Sequence, residues 1–173
     1  MYDVGDKVVY PQHGAGVVVS RETKTVLGTE REYLTIKILA NEMTVMVPAD
    51  GVEAAGVRPV ITAEELELVL AALRGDDEAI AGNWNRRFKH NRERMRTGDI
   101  EELVGVIRNL TGRVRDKPLS AGERQMLSRA KRILASEIQY VKDIDEAEAH
   151  QYLDEMLEEI ALERGSSSSH AGT

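Results

Sequence analysis

Trp84, Arg86, Arg87 and Lys89 fall within six consecutive positions, with Phe88 among them. An indole can stack on bases or wedge between them, and guanidinium and ammonium groups pair with phosphates. The window from Trp84 to Arg96 holds six Arg or Lys and one Glu, a local charge of +5 in a chain of net charge −7, which leaves −12 for the rest. It also contains the only Trp and the only Phe of the 173 residues. Two readings stand at this point. The cationic island faces a polyanion, or it is a solvated helix face matched by acids elsewhere. Trp84 is correspondingly a surface tool or a core anchor.

Other chemistries find no residues to carry them. There is no Cys, which excludes disulfides, thiolate zinc sites and a Cys nucleophile. His13, His90, His150 and His170 lie far apart, without metal-ligand spacing. Gly14-Ala15-Gly16 is a lone G-x-G followed by a Val-rich strand, whereas a dinucleotide site needs a helix there, so the motif reads as a hairpin turn. No nucleophile elbow, Walker A loop or H-E-x-x-H motif is present. The expectation is a protein without catalytic residues, metal or cofactor. Met1-Tyr2-Asp3 is acidic and does not read as a signal peptide, and no apolar run approaches the ~18 residues of a membrane span. A soluble intracellular protein is expected, with no membrane partner.

The elements that must position the basic window divide into two sets. Up to about residue 57 the pattern is short and alternating: Lys7–Tyr10, Val17–Thr25, Glu32–Ile38 with Leu34, Ile36 and Ile38 on one face, and Met43–Val47. Strands at this spacing predict a small antiparallel β-barrel of SH3-like or Tudor-like size. From Thr62 the period becomes helical. Thr62 with Glu65 and Ser120 with Glu123 have capping-box spacing, and Asp145 with Glu148 opens a last helix. Apolar stripes at Leu66, Leu68, Val69, Leu70 and Leu73, at Leu103 to Val114, at Met126 to Val141 and at Ala149 to Ile160 predict helices around the basic one, itself expected from about residue 78 to 96. The expected fold class is α+β in two domains: a β domain over 1–57, a compact five-helix bundle over 61–163, and a disordered Ser-rich tail over 164–173. Asp143 to Glu163 carries nine acids and no Lys or Arg, read as a solvated outer face.

Several stretches together resemble the CarD/CdnL family of bacterial transcription regulators. They are Val4-Gly5-Asp6-Lys7-Val8-Val9-Tyr10-Pro11-Gln12-His13-Gly14, Val45-Met46-Val47-Pro48, Gly56-Val57-Arg58, Asn83-Trp84-Asn85-Arg86-Arg87-Phe88-Lys89, and Leu119-Ser120-Ala121-Gly122-Glu123-Arg124-Gln125-Met126-Leu127. They occur in the family's order and span about residues 3 to 162. The opening motif is shared with a domain of the transcription-repair coupling factor; the W-x-R-R helix inside a helical second domain is of the CarD type.

The resemblance implies an N-terminal Tudor-like domain that docks on the RNA polymerase β subunit. It implies a helical domain that contacts promoter DNA at the upstream edge of the bubble, without strong sequence preference. The implied effect is a stabilised open complex of the holoenzyme with its housekeeping sigma factor. The family's wedge Trp falls on Trp84 and its basic DNA-contacting positions on Arg86, Arg87, Lys89, Arg113 and Arg124. The polymerase-contacting positions fall on Lys24 and Met46. Some members carry Arg where this chain has Met46, and Lys24 keeps a charge without a bidentate fork. A monomer in the cytoplasm, associated with the nucleoid through polymerase, is expected. The rival from another class is a protein-interaction adaptor whose basic Trp helix docks an acidic partner surface.

Overall fold

The computed structural model describes residues 1–75, 84–114 and 117–170, with side chains for all of these except 114 and 166–170. Strands come first: β1 (Lys7–Tyr10), β2 (Gly14–Val26), β3 (Thr29–Ile38), β4 (Thr44–Pro48) and, after a 3-10 turn at Ala49–Gly51, β5 (Arg58–Pro59). They form one antiparallel sheet in the order β4-β3-β2-β1-β5. Leu27 and Gly28 join β2 to β3 with φ of 53° and 79°. Two consecutive positive φ values give a two-residue turn whose twist matches that of the strands.

Strand periodicity decides what each residue faces. Val8, Val18, Leu34, Ile36, Ile38 and Val47 point into the β domain's own core, closed by Ala49, Val52 and Val57. Val9 and Ala15 point the other way and join the core of the helices. The register shifts between Val18 and Ser20, a bulge that leaves Val19 exposed.

The helices are α1 (Ala63–Leu73), α2 (Trp84–Arg96), α3 (Ile100–Val114), α4 (Ala121–Lys142) and α5 (Glu146–His170). Both capping boxes form as their spacing predicts, Thr62 with Glu65 and Ser120 with Glu123. Asp145 accepts from the Glu148 N–H at 2.8 Å. Leu66, Val69, Leu70, Leu73, Leu103, Ile107, Leu110, Leu134, Ile138 and Leu153 form the main core. Burial of each such side chain contributes about 1.5–3 kcal/mol.

Three details depart from the sequence reading. Gly14-Ala15-Gly16 is strand, paired with Tyr10, Val9 and Val8, and the turn is Pro11-Gln12-His13. Glycine is required at 16 by close approach, because a Cβ there would lie 2.5 Å from the Lys37 carbonyl oxygen. Leu68, assigned to the apolar stripe of α1, is 70% exposed; α1 buries Leu66, Val69, Leu70 and Leu73, and position 68 falls outside that arc. Residues 164–170, expected to be disordered, continue α5. The Arg164 guanidinium there donates to the carbonyls of Leu73, the last residue of α1, and of Gly75 just beyond it, which ties the helix extension to the bundle. Residues 78–83 of the expected basic helix and 171–173 of the expected tail lie outside the described residues.

Helix α4 also joins the two halves. The Ala15 N–H donates to Ser136 Oγ at 2.9 Å. Arg58 donates through both terminal nitrogens to Glu137 at 2.7 and 2.8 Å and through Nε to the Gly98 carbonyl at 2.7 Å. The Ile61 N–H also donates to Glu137, whose side chain is fully buried.

Candidate nucleic-acid interface

Helix α2 has a buried side and a charged side. Asn91 and Met95 are buried and Phe88 partly so, at positions i, i+3 and i+7. Asn91 accepts from the Asn109 amide at 3.3 Å, and Arg94 Nε donates to Glu102 at 2.7 Å, both across to α3. Arg94 is therefore engaged within the bundle. Arg86, Lys89, Arg92 and Arg96 are exposed, and Arg87 is partly buried. The first turn of α2 contains no acid. Arg86 and Arg87 sit there against the preference of the helix dipole, so the side chains and the helix end reinforce one another's positive potential.

Trp84 occupies the start of α2 and is 39% exposed. One face of its indole stacks on Phe88, with ring centroids 5.1 Å apart and planes 13° from parallel. Phe88 in turn rests against α4, where a Cβ on Gly122 would lie 3.1 Å from Phe88 Cε2. The indole N–H points at Glu123 Oε1 (3.0 Å) and Ser120 Oγ (3.2 Å), the two side chains of the α4 capping box. Glu123 is only 2% exposed. Its other oxygen lies 3.5 Å from Arg113 Nε, an ion-pair distance without hydrogen-bond geometry. Trp84 is thus a surface ring on a packed platform, neither inserted in the core nor free of it.

The remaining expected DNA-contacting positions fall around this point. Arg124 is exposed and bonds through one terminal nitrogen to the Leu119 carbonyl at 3.1 Å. Arg113 is partly buried and directed at Glu123. On the β domain, Lys24 and Met46 come together across the sheet, with Nζ 3.7 Å from Sδ, and both are exposed.

Sequence reasoning missed a cationic cleft between α2 and α4. It has a volume of about 180 Å³ and is lined by Arg92, Arg96, Gln125 and Arg129, with Gln12 from the β1–β2 turn. Among the described residues no ion pair involves Arg92 or Arg129. The spacings Arg92–Arg96 and Gln125–Arg129 were visible as i,i+4 pairs, but only the tertiary fold brings the two helix faces together. Among the described residues, no group of His, Asp or Glu could hold a metal ion, and no helix is long and apolar enough to cross a membrane.

Two family models match this chain in succession. The family model of the CarD-like/TRCF RID domain matches residues 2–61, and that of the CarD C-terminal domain matches residues 68–154. The "Putative transcription factor YdeB" of Bacillus subtilis (strain 168) is 33% identical over 146 residues, which cover 84% of this chain and 95% of that protein. A solution NMR structure of the 72-residue N-terminal domain of Myxococcus xanthus CarD is 37% identical, covering 34% of this chain and 79% of that one, with a TM-score of 0.30. The match to the RID domain implies an interaction with RNA polymerase. With both of its domains matched in order, the chain belongs to the CarD family of transcription regulators.

Proposed function

We propose that this chain binds the RNA polymerase β subunit through the β-domain face that carries Lys24 and Met46, and that it stabilises the open promoter complex by placing Trp84 in the minor groove at the upstream edge of the bubble. The observation that carries this reading is the half-exposed indole, backed by Phe88 and bordered by exposed Arg86 and Lys89. A ring buried in the core could not reach DNA, and an unsupported one would lose its orientation on contact.

The energetics favour a tethered wedge. A few phosphate contacts alone bind DNA weakly and in a salt-sensitive way. Attachment to polymerase raises the local DNA concentration, so weak contacts suffice. Wedging a side chain into intact duplex costs a few kcal/mol per step for unstacking. At the edge of melted DNA part of that cost is already met. Trp84 then binds the open state better than the closed one, and only such differential binding shifts the equilibrium. Arg86, Arg87, Lys89, Arg113 and Arg124 position the module on phosphates and carry no sequence information. The chain acts in the cytoplasm as a monomer, on promoter DNA held by the housekeeping holoenzyme.

The test is a footprint of holoenzyme on promoter DNA with and without the chain, at rising salt. Protection extended over the upstream bubble edge, and lost as salt rises, is expected. An unchanged footprint with the chain still bound to polymerase would favour an adaptor that uses the same helix on a protein surface.

A further inference from the structure

We infer that Glu123, with Ser120, is the positioning residue that aims Trp84, so that the capping box of α4 serves also as the bracket of the wedge. This rests on the wedge reading of Trp84. A helix cap needs only one carboxylate oxygen, for the Ser120 N–H, and one hydroxyl, for the Glu123 N–H, and both bonds are present at 3.2 Å. The same two acceptors also receive the indole N–H of a residue 36 to 39 positions earlier in the chain, at the start of a different helix. Nothing in capping requires that third donor. Phe88 fixes the plane of the ring through stacking, but stacking alone leaves the ring free to slide and rotate in that plane. The hydrogen bond to a buried carboxylate removes that freedom, and Arg113 Nε lies 3.5 Å from the far oxygen of the same carboxylate.

The chain has a single Trp, so its fluorescence reports on this ring alone. Glu123→Met keeps volume and helix propensity but removes the acceptor; Glu123→Gln keeps an acceptor and removes the charge. With Glu123→Met, neutral acrylamide should quench Trp84 about twofold more efficiently, and open complexes should dissociate several-fold faster. Glu123→Gln should restore most of both. In a Trp84→Ala background, Glu123→Met should have no further effect on dissociation, because it acts through the ring. A merely structural Glu123 would instead shorten the lifetime by the same factor with or without Trp84, and that additivity overturns the inference. So does unchanged quenching in Glu123→Met. If Glu123→Met does not fold, Ser120→Gly removes the second acceptor at a position where glycine is tolerated and should give the same readouts at smaller amplitude. A wild-type lifetime for Trp84→Ala would overturn the wedge reading itself, and this inference with it; a shortened Trp84→Ala lifetime with unchanged Glu123→Met quenching overturns only the role of Glu123.

Discussion

Arg58 and Glu137 form a bidentate pair, with N–O distances of 2.7 and 2.8 Å, that ties the last strand of the β domain to the C-terminal half of α4. The carboxylate has no access to water and accepts a third bond, from the Ile61 N–H. This pair, with Ser136 on Ala15, sets how the sheet and the helices are held relative to one another.

Removing one partner of such a pair leaves an uncompensated buried group. Arg58→Ala should cost about 3–5 kcal/mol, read by denaturant unfolding of the full chain. A loss within the few tenths expected of a surface substitution would show that the pair adds nothing to the union of the two halves. A fragment of residues 1–60 should still fold, since nine residues form its own core cluster. It should be less stable than in the full chain, because Val9 and Ala15 become exposed.

The polymerase surface is tested on the sheet. Lys24→Glu and Met46→Glu should weaken capture of the β subunit about tenfold or more by placing a carboxylate where a cation and a thioether touch. DNA affinity of the helical half should not change. Normal capture by both variants would move the docking surface elsewhere, the free edge of β4 being the next place to look.

The α2–α4 cleft yields an electrostatic prediction. Arg92→Ala and Arg129→Ala should each weaken DNA binding about equally across sequences and lower the salt slope by about one, as should Arg86→Ala and Lys89→Ala. Arg94→Ala should instead act on stability, because its guanidinium bonds to Glu102 inside the bundle. A variant of Arg92 or Arg129 that alters sequence preference with an unchanged salt slope would contradict a phosphate role.

Much of the fold could be read directly from the chain, because it is written in local rules. Alternation at Leu34, Ile36 and Ile38 and the caps at Thr62 and Ser120 needed only neighbours a few residues away. Gly14-Ala15-Gly16 misled because its glycines answer to Lys37 and Ser136, which are distant in sequence. The basic Trp helix stood out by composition, and the resemblance to the family supplied its meaning. Its support could not be seen: that Phe88 lies over Gly122, that Glu123 receives the indole, and that Arg129 shares a cleft with Arg92 all depend on how α2 crosses α4. Helical periodicity shows which face is apolar but not which helix it meets.

Trp84 itself separates stability from function. With the ring 39% exposed, Trp84→Ala gives up the stack on Phe88, worth about 0.5–1.5 kcal/mol, and its bonds to the α4 cap. A total near 1–2 kcal/mol is expected, below the roughly 3–5 kcal/mol of a core Trp. Trp84→Phe should keep part of the function, since a smaller ring still stacks.

The most direct measurement is the dissociation of open promoter complexes after addition of a competitor, with wild-type chain and with Trp84→Ala at concentrations that saturate polymerase. Wild type should prolong the lifetime, and Trp84→Ala should bind polymerase normally yet lose about tenfold of that lifetime, the equivalent of ~1.4 kcal/mol within the range for stacking on one base. Equal lifetimes with the two proteins, both bound, would contradict a wedge at Trp84.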